Sequence, residues 1–263
     1  MHLKKITLFV FIFFVGKTVF ADEMFCADPA IIDLTDRGSV TDTPCVVPKN
    51  KVLVEAGYQY QNLLPSGVLS NVPQMQITTG IAWGTEIFAS LPSYNVQQYP
   101  SAQGFGAANF GAKTHLFGGK SWAVAGQGII TTSGGTNNFG SPKTGYAVNG
   151  IGSWGLSPMF TLAGMFGESS LMDPWNAGGA RFNSFNYSVA LGFTPVEKFV
   201  LYGEVFGETK TNAESGSGVD ADLGILYVFN KSIVFDVEYA DCFNGNLGGF
   251  KNYVGAGLTV LLG

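Results

Sequence analysis

From Lys51 to the last residue the chain repeats one pattern. Segments of roughly ten residues alternate apolar and polar side chains, the signature of strands that line a membrane barrel. A turn follows each segment, and the turns alternate between tight and long. Period-two alternation sends successive side chains to opposite faces of a strand. A strand needs about 9–11 residues to cross a bilayer. In lipid such strands must close on themselves, because an open sheet edge would leave backbone N–H and C=O groups unpaired. The expected fold is therefore all-β: one closed antiparallel transmembrane β-barrel.

Composition agrees. Charged residues make up 13% of the 263 residues, against about 25% in ordinary soluble domains. No apolar run beyond residue 21 approaches the ~18 residues of a membrane helix. The alternative, a soluble β-sandwich, would need an unusually apolar surface. The net charge of −5 and pI of about 5.0 give no basic footprint for nucleic acid.

Residues 1–21 read as a secretory signal. His2, Lys4 and Lys5 form a polar start, Thr7 to Val15 an apolar centre, and Val19-Phe20-Ala21 a small-residue cleavage site. Lys17 and the short apolar run argue against a membrane anchor. Phe25 before Cys26 argues against a lipid anchor. Residues 22–50 form a polar N-terminal segment expected in the periplasm, and residues 51–263 the barrel. The N-terminal segment either plugs the lumen from below or hangs free. Cys26 and Cys45 fall within it, close enough in an oxidising compartment to make a candidate disulfide. Cys242 is then left free near the last hairpin.

The pattern divides into about twelve strands. They are Lys51–Asn62, Pro73–Trp83, Glu86–Leu91, Gly106–Phe117, Ser121–Thr131, Lys143–Leu156, Met159–Ser169, Arg181–Thr194, Lys198–Thr209, Val219–Phe229, Ser232–Asp241 and Lys251–Leu262. An even number puts both termini at the tight-turn end. In outer-membrane barrels that end is periplasmic and the long loops face outward. A lumen of this width is intermediate between a side-chain-filled eight-strand barrel and a wide porin.

In a lipid-embedded barrel the polar face is the lumen. Glu55, Glu86, Lys113, His115, Glu204, Asp222, Asp236 and Glu238 all fall on that face. A charge on the lipid face costs about 2–4 kcal/mol, so this sorting is expected even without function. Glu86 and Lys113 lie on neighbouring strands and suit an internal salt bridge. The last strands collect Glu204, Asp222, Asp236 and Glu238 with no inward Lys or Arg of their own. That acidic wall is either a structural hydrogen-bond network or a lining that a permeant passes.

Several stretches resemble the outer-membrane transporter family named for the meta pathway of phenol degradation. They are Gly80-Ile81-Ala82-Trp83-Gly84-Thr85-Glu86-Ile87, Gly104 to Lys113, Leu201-Tyr202-Gly203-Glu204-Val205-Phe206-Gly207, and Asp222 to Tyr227 with Phe235-Asp236. The resemblance covers Lys51 to Gly263 and leaves out the cysteine-bearing segment. It implies passive uptake of small, often aromatic or hydrophobic, molecules. It also implies lumen roles for Glu86, Lys113, Glu204, Asp222 and Asp236. Expected partners are outer-membrane lipid, the barrel assembly machinery and a small-molecule permeant.

Other classes find less support. His115, the single histidine after the leader, points inward with no serine partner suited to a lipid-cleaving triad, so no enzyme is expected. The cysteines are not in metal-ligand spacing, and no phosphate-binding glycine loop is present, so no cofactor is expected. The competing function is a structural or surface-interaction barrel. Its long loops would bind partners through Tyr94, Tyr99 and Trp175, which otherwise serve as interface anchors.

Overall fold

A computed structural model describes residues 25–245 and 247–263. The expected leader at residues 1–21 lies outside them. The strands in chain order are β1 (Val52–Leu63), β2 (Val68–Val72), β3 (Gln76–Gly80), β4 (Thr85–Ser90), β5 (Tyr94–Gln98), β6 (Ala102–Phe105), β7 (Asn109–Gly118) and β8 (Trp122–Thr131). They continue with β9 (Gly145–Ser157), β10 (Phe160–Met172), β11 (Arg181–Val196), β12 (Phe199–Glu208), β13 (Gly218–Asn230), β14 (Ile233–Asn244) and β15 (Phe250–Leu262).

Twelve of these close a barrel. The ring runs β1-β3-β4-β7 and then in order through β15, which pairs back onto β1 from Val52↔Leu262 to Leu63↔Phe250. Every pairing between named strands is antiparallel, as alternating turns require. The expected strand positions hold to within a few residues. Two expected loops do not stay irregular, however. Residues 63–72 contain β2, and residues 92–103 contain β5 and β6. These short strands extend the sheet beside the ring in the order β1-β2-β5-β6. As a result β1 pairs with β3 only over Val52–Glu55, and with β2 over Gln59–Asn62. The amide alternation of Gln59, Gln61, Asn71 and Asn95 follows a polar surface rather than a lipid-facing one, which is why a membrane-strand pattern passes over it.

Outward faces are apolar. Phe166, Val189, Leu223 and Val237 are among the most exposed side chains. Trp122 and Trp154, paired across β8 and β9, face outward near the tight-turn end, the position of an aromatic girdle. Glu168 and Asp241 are the exposed acids of β10 and β14, and both lie near the long-loop ends of their strands.

Residues 25–50 run inside the ring. Phe25 N–H donates to Gly119 O at 2.9 Å, and Lys49 bridges Gly80. Between those points Ile31, Leu34, Cys45 and Val47 pack against Leu53, Tyr202, Leu226 and Val234 of the wall. The segment occupies the lumen, where its apolar side chains find an apolar patch on a largely polar inner face.

Candidate functional site: the occupied lumen

The segment is held through a short stretch at its tip, Asp36 to Thr43. Asp36 and Arg37 are neighbours of opposite charge, and each reaches a different part of the wall. Lys113 Nζ, fully buried on β7, lies 2.8 Å from Asp36 Oδ2 and 3.2 Å from Glu86 Oε1. Glu86 and Lys113 are direct cross-strand partners, so β4 and β7 present the pair already formed. The expected salt bridge is present, with the segment as its third member.

Arg37 turns the other way. Its Nε lies 3.1 Å from Asp236 Oδ2 on β14, its Nη1 donates to Gln74 Oε1 at 3.0 Å, and its Nη2 donates to Ala256 O at 3.1 Å. The cation missing from the acidic wall is thus supplied by the segment. The guanidinium lies over Gly57 and Gly257, which face each other across β1 and β15. A Cβ added at either glycine would overlap it. These glycines escaped the sequence reading; they make a floor only a few ångströms from the backbone on which a planar cation can lie.

Backbone N–H groups complete the hold. Those of Asp36 and Arg37 both donate to Glu55 Oε1 at 3.1 Å. Those of Val40 and Thr41 donate to the two carboxylate oxygens of Glu204 at 2.7 and 2.8 Å. The Thr41 hydroxyl also bonds Glu204, and lies 2.6 Å from Ser188 Oγ. Val47 N–H donates to Glu86 Oε2 at 2.6 Å. Each of these carboxylates is nearly inaccessible. A buried carboxylate accepting N–H bonds is tolerable where an unpaired one would not be. Asp42 takes a bond from Gln127 Nε2 at 2.5 Å. Burial pushes its carboxyl up to about 7, with Asp36 adding to the shift and Lys113 opposing it.

Not every expected lumen residue touches the segment. Asp222 stands opposite Glu204 in register, and its carboxylate oxygens have no hydrogen-bond partner among the described residues. Glu238 lies against Gly255 and faces the loop-end cavity with Tyr253. His115 sits near the tight turns, beside Gly84 and Gly118, and its Nδ1 is buried without a partner among the described residues.

The segment is closed on itself by the Cys26–Cys45 disulfide. Cys242 stays free. A cross-link spanning 19 residues restricts the unseated chain by about 3 kcal/mol in the loop-entropy account. The Cys26→Ser/Cys45→Ser protein should therefore keep its barrel but expose residues 25–50 to limited proteolysis faster than wild type. Equal cleavage rates would show that the bridge does not hold the segment.

Of the cavities beside the segment, two meet at its tip. One, of about 640 Å³, lies toward the long loops and is lined by amides such as Gln59, Asn71, Gln74 and Gln127, with Phe88 and Tyr253. The other, of about 170 Å³, lies toward the tight turns between the segment and β9–β13.

A closed barrel with an apolar exterior, a polar interior and internal free space has the fold of the porin-like outer-membrane barrels. Solved structures agree on the fold. An outer membrane channel from Pseudomonas putida F1 superposes with a TM-score of 0.69 at 9% identity, over 82% of this chain and 97% of its own. The KdgM porin gives 0.55 at 10% identity, over 79% and 98%. The NanC porin gives 0.54 at 13% identity, over 80% and 98%. No family model matches the chain, and no curated protein matches it.

Proposed function

We propose that the protein is a passive outer-membrane channel for small molecules, with residues 25–50 as an internal constriction. The tight turns and both termini face the periplasm and the long loops face outside. The observation that carries this reading is the free space left in the lumen on both sides of the segment. An eight-stranded barrel fills with side chains, whereas twelve strands have room for a segment and for solute beside it. The porin-like fold supports the same reading. The permeant is a small molecule, and the resemblance to the phenol meta-pathway transporters favours aromatic or hydrophobic ones. Refolded protein should shift in gel mobility on boiling and conduct in planar bilayers. A folded, heat-modifiable barrel that passes neither ions nor solutes would end the channel reading.

Carboxylates outnumber cations in the lumen, where Asp36, Asp42, Glu55 and Glu238 line the larger cavity with Arg37. Fixed charge of one sign in a low-dielectric channel concentrates the opposite ion. The channel should be cation-selective, with a reversal potential in a KCl gradient displaced toward that of K⁺. Anion preference would contradict the acidic lining.

A surface-interaction role rests on the loops. The Asn176 N–H donates to Asn137 O at 3.0 Å, and the Ala213 N–H donates to Asp173 at 3.1 Å, which ties three long loops into one surface. Loop deletions that abolish adhesion while leaving conductance unchanged would favour it.

A further inference from the structure

Two lumen cavities flank the seated segment. Arg37, Ser39 and Asp42 line both the larger cavity toward the loops and the smaller one toward the turns. The same three side chains of the seated segment therefore form the boundary between the two spaces. Arg37 and Asp42 are fixed there, by Asp236 and Gln74 in one case and Gln127 in the other. Ser39 is the short residue between them, its hydroxyl turned to its own chain at Thr41 O.

Below that boundary the wall is cut back. Ser153, Ala163, Ala190 and Gly192 of β9, β10 and β11 face the segment across the smaller cavity. Ala163 and Ala190 are direct cross-strand partners, so the small side chains form one contiguous strip. Beyond that strip the wall carries Leu53 and Val234, which pack directly against the segment, and Tyr202 and Leu226 stand at the edge between the two. The lumen is thus packed around Leu53 and Val234 and slotted along the Ala163–Ala190 strip.

We infer that solute passes with the segment seated, through the slot between residues 37–42 and the Ala163–Ala190 strip, and that Arg37, Ser39 and Asp42 are its selectivity filter. This rests on the channel reading above. The slot admits water, small cations and small neutral molecules. The filter faces them with one fixed cation, one carboxyl and one hydroxyl, so it discriminates by size and charge rather than by apolar surface.

The test compares single-channel current in two backgrounds. Ala190→Phe fills the slot from the wall and leaves the filter residues themselves unsubstituted. It should cut the current severalfold in the otherwise wild-type protein. In a Gly257→Val background, where Arg37 is displaced from the boundary and the lumen is wider there, the same substitution should take a much smaller share. Ala190→Cys, folded first and then modified with a small methanethiosulfonate in a Cys242→Ser background, gives the same reading without packing a large residue during folding. Modification should close the current stepwise. Equal fractional losses in both backgrounds, or no loss on modification, would overturn the seated-segment path while leaving the channel itself standing. Silence of wild type and Gly257→Val alike would bring down the channel reading and this path together.

Discussion

Lys113→Met is expected to cost about 3–5 kcal/mol and to unseat the N-terminal segment. Lys113 is fully buried and lies between Asp36 and Glu86. Met matches its length and packs in the same space, so the loss isolates the charge. Two carboxylates are then left facing each other in the interior. Asp36 keeps the Thr43 N–H and Glu86 keeps the Val47 N–H, but neither bond offsets two buried negative charges. The cheapest relief is for Asp36 to swing out to water, and with it the tip of the segment. Conductance should rise, and residues 25–50 should become open to protease in a barrel that still resists boiling-free unfolding in a gel. Asp36→Asn added to Lys113→Met removes one of the stranded charges. The double substitution should be milder than the sum of the two single ones. Strict additivity would mean that the ion pair does not hold the segment.

The barrel was legible because lipid imposes it on every strand: the period-two pattern, the turn alternation and the inward sorting of Glu55, Glu86, Lys113, Glu204, Asp222, Asp236 and Glu238 are each local. The occupant of the lumen was legible only as a deficit. Strands β12 to β14 place acids inward with no cation among them, and a chain with that imbalance must bring in a charge from elsewhere. Arg37 is that charge, 199 residues away from Asp236 in sequence. No periodicity connects the two. Asp36-Arg37 is an adjacent acid–base pair in a segment otherwise rich in Thr, Pro and Val, which in hindsight is the one local mark of a contact point. The receiving glycines, Gly57 and Gly257, look like any other barrel glycine until the register sets them face to face. The same holds for β2, β5 and β6, whose pairing depends on β1 dividing its partners between two strands.

Gly257→Val should open the channel most cleanly. Val is a better strand residue than Gly, and position 257 lies in the middle of β15 with partners on both sides, so the barrel itself is not weakened. The new side chain, however, enters the volume of the Arg37 guanidinium and crowds the end of the Asp236 side chain, which must swing aside. Arg37 must leave and surrender its bonds to Asp236, Gln74 and Ala256 O together. Charge-assisted hydrogen bonds are each worth about 1.5–3 kcal/mol, and losing several at once detaches the Arg37 side of the tip, while Lys113, Glu55 and Glu204 still hold its other contacts. Asp236, then facing a wet lumen, is rehydrated rather than stranded, which distinguishes this variant from Lys113→Met. The expected result is a barrel as heat-resistant as wild type with a severalfold larger single-channel conductance. Arg37→Gln should raise conductance in the wild-type background and add almost nothing in Gly257→Val, because the valine has already displaced the arginine. A further increase from Arg37→Gln in the Gly257→Val protein would mean that the valine leaves Arg37 in place, and that the glycine floor is not what seats the segment.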